Sequence, residues 1–256
     1  MNSTLITCPS GLTGSVRGLK AKEERILADR KLAKDGGQLD QILAACWEEV
    51  VDPGPYPFGD HAIDWSKVLQ GDRFYTLLQI RILSYGPEYA FTVPCQNRSC
   101  RSRIDWELKL DDLPVRKLSE ESRAAFLSGN RFSTTLPSSG QRVTFRLLTG
   151  ADERLMTRLR KQAADRPITT LLNFRVDSIE KVDPMAKLSF LEELGMADVT
   201  ALLGAMDSVD CGVDTDLEIE CPECGAVQRI DLPFDQNFFL PDRNKARGGQ
   251  INYSRT

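Results

Sequence analysis

Two pairs of cysteines, Cys95 with Cys100 and Cys221 with Cys224, are separated by 120 residues, and they constrain this chain more than any other feature. Each pair sits between segments of period two. Tyr89-Ala90-Phe91-Thr92-Val93 leads into Pro94-Cys95, and Ile104, Trp106, Leu108 and Leu110 alternate with polar residues afterwards. Leu217-Glu218-Ile219-Glu220 leads into Cys221-Pro222-Glu223-Cys224-Gly225, and the chain leaves through Val227 to Leu232. A strand, a cysteine turn and a strand make a hairpin whose tip offers two sulfurs. Zinc takes four ligands in a tetrahedron, and thiolate is among its strongest. The pattern therefore predicts a zinc-ribbon-like pair of β-hairpins, with Cys95, Cys100, Cys221 and Cys224 as ligands of one structural Zn2+.

Disulfides within the pairs, or free thiols, compete with that reading. The N-terminus lacks the charged start and apolar stretch of a secretory signal, so a reducing cytoplasm is expected, where paired cysteines favour metal. A redox Cys-x-x-Cys would open a helix after a strand, whereas here a strand follows. Metal binding worth roughly 10–16 kcal/mol exceeds the few kcal/mol needed to close so long a loop. Four protein ligands leave no position for water, so this zinc is expected to be structural. Cys46 lies on an apolar stripe and reads as a buried thiol; Cys8 and Cys211 read as unpaired, with Cys211 the substitute should one of the first pair lie too far away.

Other chemistry is sparse. The only histidine, His61, falls in a polar loop, which leaves no multi-histidine centre. No phosphate-binding loop, dinucleotide fingerprint or His-Glu-x-x-His occurs, and the chain reads as no enzyme. No run approaches the roughly 18 apolar residues of a membrane span, and a net charge of -4 gives no global footprint for nucleic acid. Arg98, Arg101, Arg103 and Trp106 around the first knuckle would suit a zinc-ribbon nucleic-acid binder, but Glu218, Glu220, Glu223 and Asp231 around the second oppose it.

The predicted fold class is α+β: N-terminal helices plus the hairpin pair, with an inserted α+β subdomain. Residues 1–18, with Pro9-Ser10-Gly11, read as an extended arm, and 19–110 as a helical region ending in the first knuckle. Within it, Leu19–Lys34 is predicted as one charged helix; seven basic residues stand against three acidic ones between Arg17 and Lys34. Leu39, Ile42, Leu43, Cys46, Trp47 and Val50 predict a helix over Gln38–Val50, and Asp72 is placed to cap another through Tyr85. Residues 111–216 form the inserted subdomain. A strand is expected over Gln141–Leu148, a capping box at Thr149-Gly150-Ala151-Asp152, and extended chain over Ile168–Ile179. Helices are expected after Asp183-Pro184, ending at Gly195, and after Asp198. Residues 217–241 carry the second knuckle, and 242–256 a basic tail.

Several segments together resemble the baseplate proteins of contractile-tailed bacteriophages related to the T4-type baseplate hub protein. They are Pro9-Ser10-Gly11, Leu19-Lys20-Ala21-Lys22-Glu23-Glu24-Arg25-Ile26-Leu27, Leu39 to Trp47, the two knuckles, and Asn237-Phe238-Phe239-Leu240-Pro241. The wide Cys95–Cys100 spacing is the least typical feature. The resemblance implies a virion structural protein of the tail baseplate, a hub or hub-proximal wedge component made in the host cytoplasm. It implies other baseplate and tail proteins as partners in a large symmetric assembly, with neither nucleic acid nor membrane expected. A baseplate assembly chaperone not retained in the virion is the alternative within the family.

Overall fold

In this computed structural model residues 3–58, 63–163, 165–234 and 236–239 are described; His61 and the tail from Asp242 lie outside them. Helices alternate with antiparallel strands, so the fold is α+β as expected. Strands β1 (Thr4–Thr7) and β2 (Thr13–Val16) are followed by short helices α1 (Glu24–Ala28) and α2 (Arg30–Asp35). Helix α3 (Gln38–Cys46) runs directly into β3 (Trp47–Asp52), and the long α4 (Gln70–Tyr85) precedes β4 (Glu88–Pro94) and β5 (Arg103–Lys109). Then come β6 (Val115–Arg116), α5 (Glu120–Leu127), β7 (Phe132–Thr135), β8 (Arg142–Phe145) and α6 (Gly150–Ala163). Helix α7 (Pro167–Arg175), β9 (Val176–Ile179), α8 (Lys187–Glu192), α9 (Met196–Val209) and β10 (Gly212–Val213) complete the middle of the chain. Strands β11 (Asp216–Glu220) and β12 (Val227–Asp231) make the last hairpin.

The chain divides into two compact units. One contains the residues up to Ile80 and Pro114–Asp214; the other contains Arg81–Leu113 and the residues from Thr215. In the first, β1-β2-β3 and β7-β8-β9 form separate antiparallel sheets. Leu12, Val16, Ile42, Leu43 and Cys46 are fully buried around the first sheet, and Val143, Phe145 and Leu147 around the second.

Several local expectations are corrected. Residues 4–7 and 13–16, read as an arm, are strands: β1 pairs with β2, and β2 in turn with β3. The predicted helix Leu19–Lys34 is broken at Asp29 (φ -77°, ψ 99°), whose carboxylate accepts the N–H groups of Lys31 and Leu32 and so starts α2. This competition between capping and helix continuation is typical of Asp. Helix α3 stops at Cys46, because Trp47 and Val50 pair with Val16 and Gly14 of β2. Residues 168–175, expected to be extended, form most of α7, with Pro167 in its first turn; only Val176–Ile179 is strand. The β-branched run Ile168-Thr169-Thr170 favours a strand locally, and packing overrides that weak preference. Gly195 caps the start of α9 instead of ending α8, which stops at Glu192. The capping box is half realised: Asp152 accepts the Thr149 N–H (2.9 Å).

Asp72 and Asp198 cap nothing on their own helices. Asp198 accepts the N–H groups of Ser138 (2.7 Å) and Ser139 (3.0 Å) in the loop after β7. Asp72 is completely buried and accepts the Ser10 N–H (2.9 Å), the Ser10 hydroxyl and the Tyr56 hydroxyl (2.6 Å). Pro9-Ser10-Gly11 is thus the turn that ties the N-terminal hairpin to α4. Burial leads the effects on the Asp72 carboxyl and raises its pKa, with the hydrogen bonds from Ser10 and Tyr56 working against it.

A second polar knot surrounds Arg73, also completely buried. Its guanidinium meets Asp40 of α3 (2.7 Å), Glu153 of α6 (2.7 Å) and the Trp65 carbonyl (2.7 Å). Gly150 makes room for it: a Cβ there would stand 2.3 Å from the Trp65 oxygen and 2.6 Å from Arg73 Nη1. Gly150→Ala is therefore expected to destabilise the protein by about 1–3 kcal/mol, read as a lower urea midpoint; an unchanged midpoint would show that the backbone yields there freely.

Candidate metal centre

The second unit is two antiparallel hairpins, β4-β5 and β11-β12. Alternation along each strand turns Ile104 and Ile219 inward, where they are buried with Cys95 and Cys221. Val93, Cys100, Trp106, Leu217 and Ile230 pack around this nucleus. Trp106, named above among the residues that would suit a nucleic-acid binder, is part of that packing. An aromatic cluster completes the unit: Tyr89 lies 5.2 Å from Phe238, which contacts both Phe234 and Phe239, and the Arg81 guanidinium stands over Tyr85 at 4.7 Å. The Tyr89 hydroxyl donates to the Pro233 carbonyl and that of Tyr85 to the Phe239 carbonyl. The Asn237-Phe238-Phe239 segment is thus pinned to the base of the first hairpin. Such ring contacts contribute about 0.5–1.5 kcal/mol each beyond burial.

At the hairpin tips the four sulfurs converge. The Sγ atoms of Cys95, Cys100, Cys221 and Cys224 all lie within 4.8 Å of one another. The shortest separations cross between hairpins: Cys95 to Cys224 at 3.8 Å and Cys100 to Cys221 at 3.9 Å. Ligands about 2.3 Å from a tetrahedral zinc stand about 3.8 Å apart, so the sulfurs are spaced for a metal and too far apart for disulfides. No disulfide joins any of the seven cysteines. The cluster can hold a metal ion. Cys211, the possible substitute, is buried in the first unit and takes no part. Cys8 and Cys46 are buried there too, and burial leads the effects that raise both thiol pKa values, that of Cys46 to about 11.

The two knuckles are built alike despite their different spacing. In the second, the Gly225 N–H donates back to the Cys221 carbonyl (2.8 Å), and Gly225 takes the left-handed conformation that closes the turn (φ 67°). In the first, the Arg101 N–H donates to the Asn97 carbonyl (3.1 Å), with Arg101 left-handed as well (φ 53°). Asn97 thus occupies the place that Cys221 holds in its own knuckle. Its side-chain oxygen accepts the Ser99 N–H (3.0 Å), just as Cys221 accepts from the Glu223 N–H. The sulfur comes instead from Cys95, two residues earlier. The wide Cys95–Cys100 spacing is a Cys-x-x-Cys turn with asparagine in the first position.

The thiols are also set apart electrostatically. The Ser102 hydroxyl, with the Glu223 and Cys224 N–H groups, outweighs burial and draws the Cys221 thiol down to about 6. At Cys95 the Asn97 N–H works in the same direction. Burial and the sulfurs of Cys221 and Cys224 overcome it and push Cys95 up to about 12. Four thiolates cannot share so small a volume without a cation among them.

Spacing and alternation alone pointed to the four cysteines that the structure brings together. They missed Asn97, Ser102 and Gln228. Asn97 stands three residues before Cys100, in Cys-x-x-Cys register, and Gln228 is a polar residue at an inward position of β12; both signals were present in the sequence.

Four cysteines able to hold a metal ion meet at the tips of two hairpins. Over residues 1–240 the chain matches the family described as T4 bacteriophage base plate protein, and it belongs to that family. Comparison with curated proteins and with solved structures gave no match. Family membership makes this a structural protein of the phage tail baseplate, located in the virion tail with other baseplate and tail proteins as its partners. Among the described residues no helix is long and apolar enough to cross a membrane.

Proposed function

We propose that this chain is a non-enzymatic scaffold of the baseplate, at the hub or the wedge next to it, and that Cys95, Cys100, Cys221 and Cys224 bind one structural Zn2+. The tetrahedral spacing of the four sulfurs carries the metal reading. Thiolates select soft or borderline ions, and zinc needs no redox partner. Bound there, the ion would staple the two hairpins to each other at the ends of the segment 101–220. Acidic Glu218, Glu220, Glu223 and Asp231 beside the second knuckle, with Trp106 packed inward, favour a protein neighbour over nucleic acid.

Thiol counting and elemental analysis test the metal. The purified protein is expected to carry one zinc and to react slowly with a thiol reagent, because Cys8, Cys46 and Cys211 are buried. Adding a strong chelator should expose four fast-reacting thiols. Four fast thiols before chelation would refute the bound ion. Mass spectrometry of purified tails tests the location: absence of the chain from finished particles would make it an assembly factor.

A further inference from the structure

Besides Asn97, whose Nδ2 donates to Cys224 Sγ (3.6 Å), two side chains beyond the sulfurs join the knuckles to each other. Gln228 points inward from β12, only 6% exposed, and spans the backbone on both sides of Cys95. Its oxygen accepts the Gln96 N–H (2.8 Å) and its nitrogen donates to the Pro94 carbonyl (3.2 Å). In the other direction, Ser102 reaches from the first knuckle to the second, its Oγ standing 3.2 Å from Cys221 Sγ and 3.1 Å from Cys100 Sγ. The first knuckle is itself closed beside that serine, where the Cys95 N–H donates to the Ser102 carbonyl (2.8 Å).

We propose that Ser102 and Gln228 are positioning residues of the metal centre, each extended by one hairpin to fix the cysteines of the other. Gln228 does this through backbone. A buried primary amide is costly unless both its ends are paired, and among the described residues the partners of this one flank Cys95. The amide therefore sets where the Cys95 sulfur can stand relative to β12, which leads away from Cys221 and Cys224. Ser102 acts on the sulfur directly. Its single proton is donated to thiolate, and it spreads the negative charge that four sulfurs bring to one ion. Groups in this outer layer orient metal ligands and hold them against loss. The inference rests on the zinc reading above and adds the two residues on which the ion's retention depends.

The test uses the full-length protein and two metals. Zinc affinity is measured by competition with a chromophoric chelator, and Co2+ substitution reports ligand geometry through its visible absorption. Ser102→Ala and Gln228→Met are each expected to bind zinc about 10–100-fold more weakly and to alter the Co2+ bands. Ser102→Thr, which keeps the hydroxyl, is expected to restore the affinity and the spectrum of the unaltered protein. That recovery separates positioning from loss of packing, and it covers the case in which an alanine variant folds poorly. If the unaltered protein binds one metal and either Ser102→Ala or Gln228→Met binds it equally well, the positioning role is overturned while the zinc reading stands. If the unaltered protein binds none, both fall together.

Discussion

Stripping the metal is expected to unfold the hairpin unit while leaving the first unit folded. The second unit is small: around the cysteines its core is Ile104 and Ile219 ringed by half-buried side chains, and its other buried apolar residues include Tyr89, Leu110, Leu232, Phe238 and Phe239. Domains below about 70–80 residues rarely obtain more than about 3–5 kcal/mol from such a core. Metal binding worth roughly 10–16 kcal/mol then dominates, since closing the 101–220 loop costs only about 5 kcal/mol of it. Calorimetry with and without a strong chelator should lose one transition entirely. Far-UV circular dichroism should keep most of its helical signal, because α1–α3 and α5–α9 all belong to the first unit. Cys221→Ser should reproduce the chelator's effect without any chelator. Superimposable thermograms would show that the hairpins stand by hydrophobic packing alone.

Replacing Arg73 should have the next largest effect, this time on the first unit. The side chain has no exposure at all, and its fork meets Glu153 through both Nε (2.8 Å) and Nη2 (2.7 Å). Removing one partner of a buried ion pair costs about 3–5 kcal/mol, because the remaining charge stays desolvated. Arg73→Met is therefore expected to lose about that much, measured by urea unfolding. Arg73→Lys should recover little of it, since one ammonium cannot bridge α3, α6 and the Trp65 carbonyl in a planar fork. Asp40→Asn should cost less, as it leaves the pairing of Arg73 with Glu153 intact. A Met variant within about 1 kcal/mol of the starting protein would mean that the first unit repacks around an apolar residue, as some buried pairs allow.

The hairpins were legible because both signals that announce them are short in range. Alternation over five to seven residues gave β4, β5, β11 and β12, and cysteine spacing gave the tips. Failures came where a local preference met a distant partner. Trp47 and Val50 share a helical stripe with Ile42 and Leu43, yet they form β3 because β2 lies alongside. Asp29 and Asp198 were each open to more than one partner: Asp29 chose a cap inside the expected helix, and Asp198 chose a loop 60 residues away.

What the amino-acid order determined alone is the α+β composition and the four cysteines that meet at the hairpin tips, since alternation and turn spacing act between near neighbours. Tertiary structure decided the rest. Ser10 finds Asp72 across 62 residues and Gln228 finds Gln96 across 132. Burial makes those pairings matter, because a polar group removed from water must bond to whatever the fold places beside it. No local pattern in the chain specifies which group that will be.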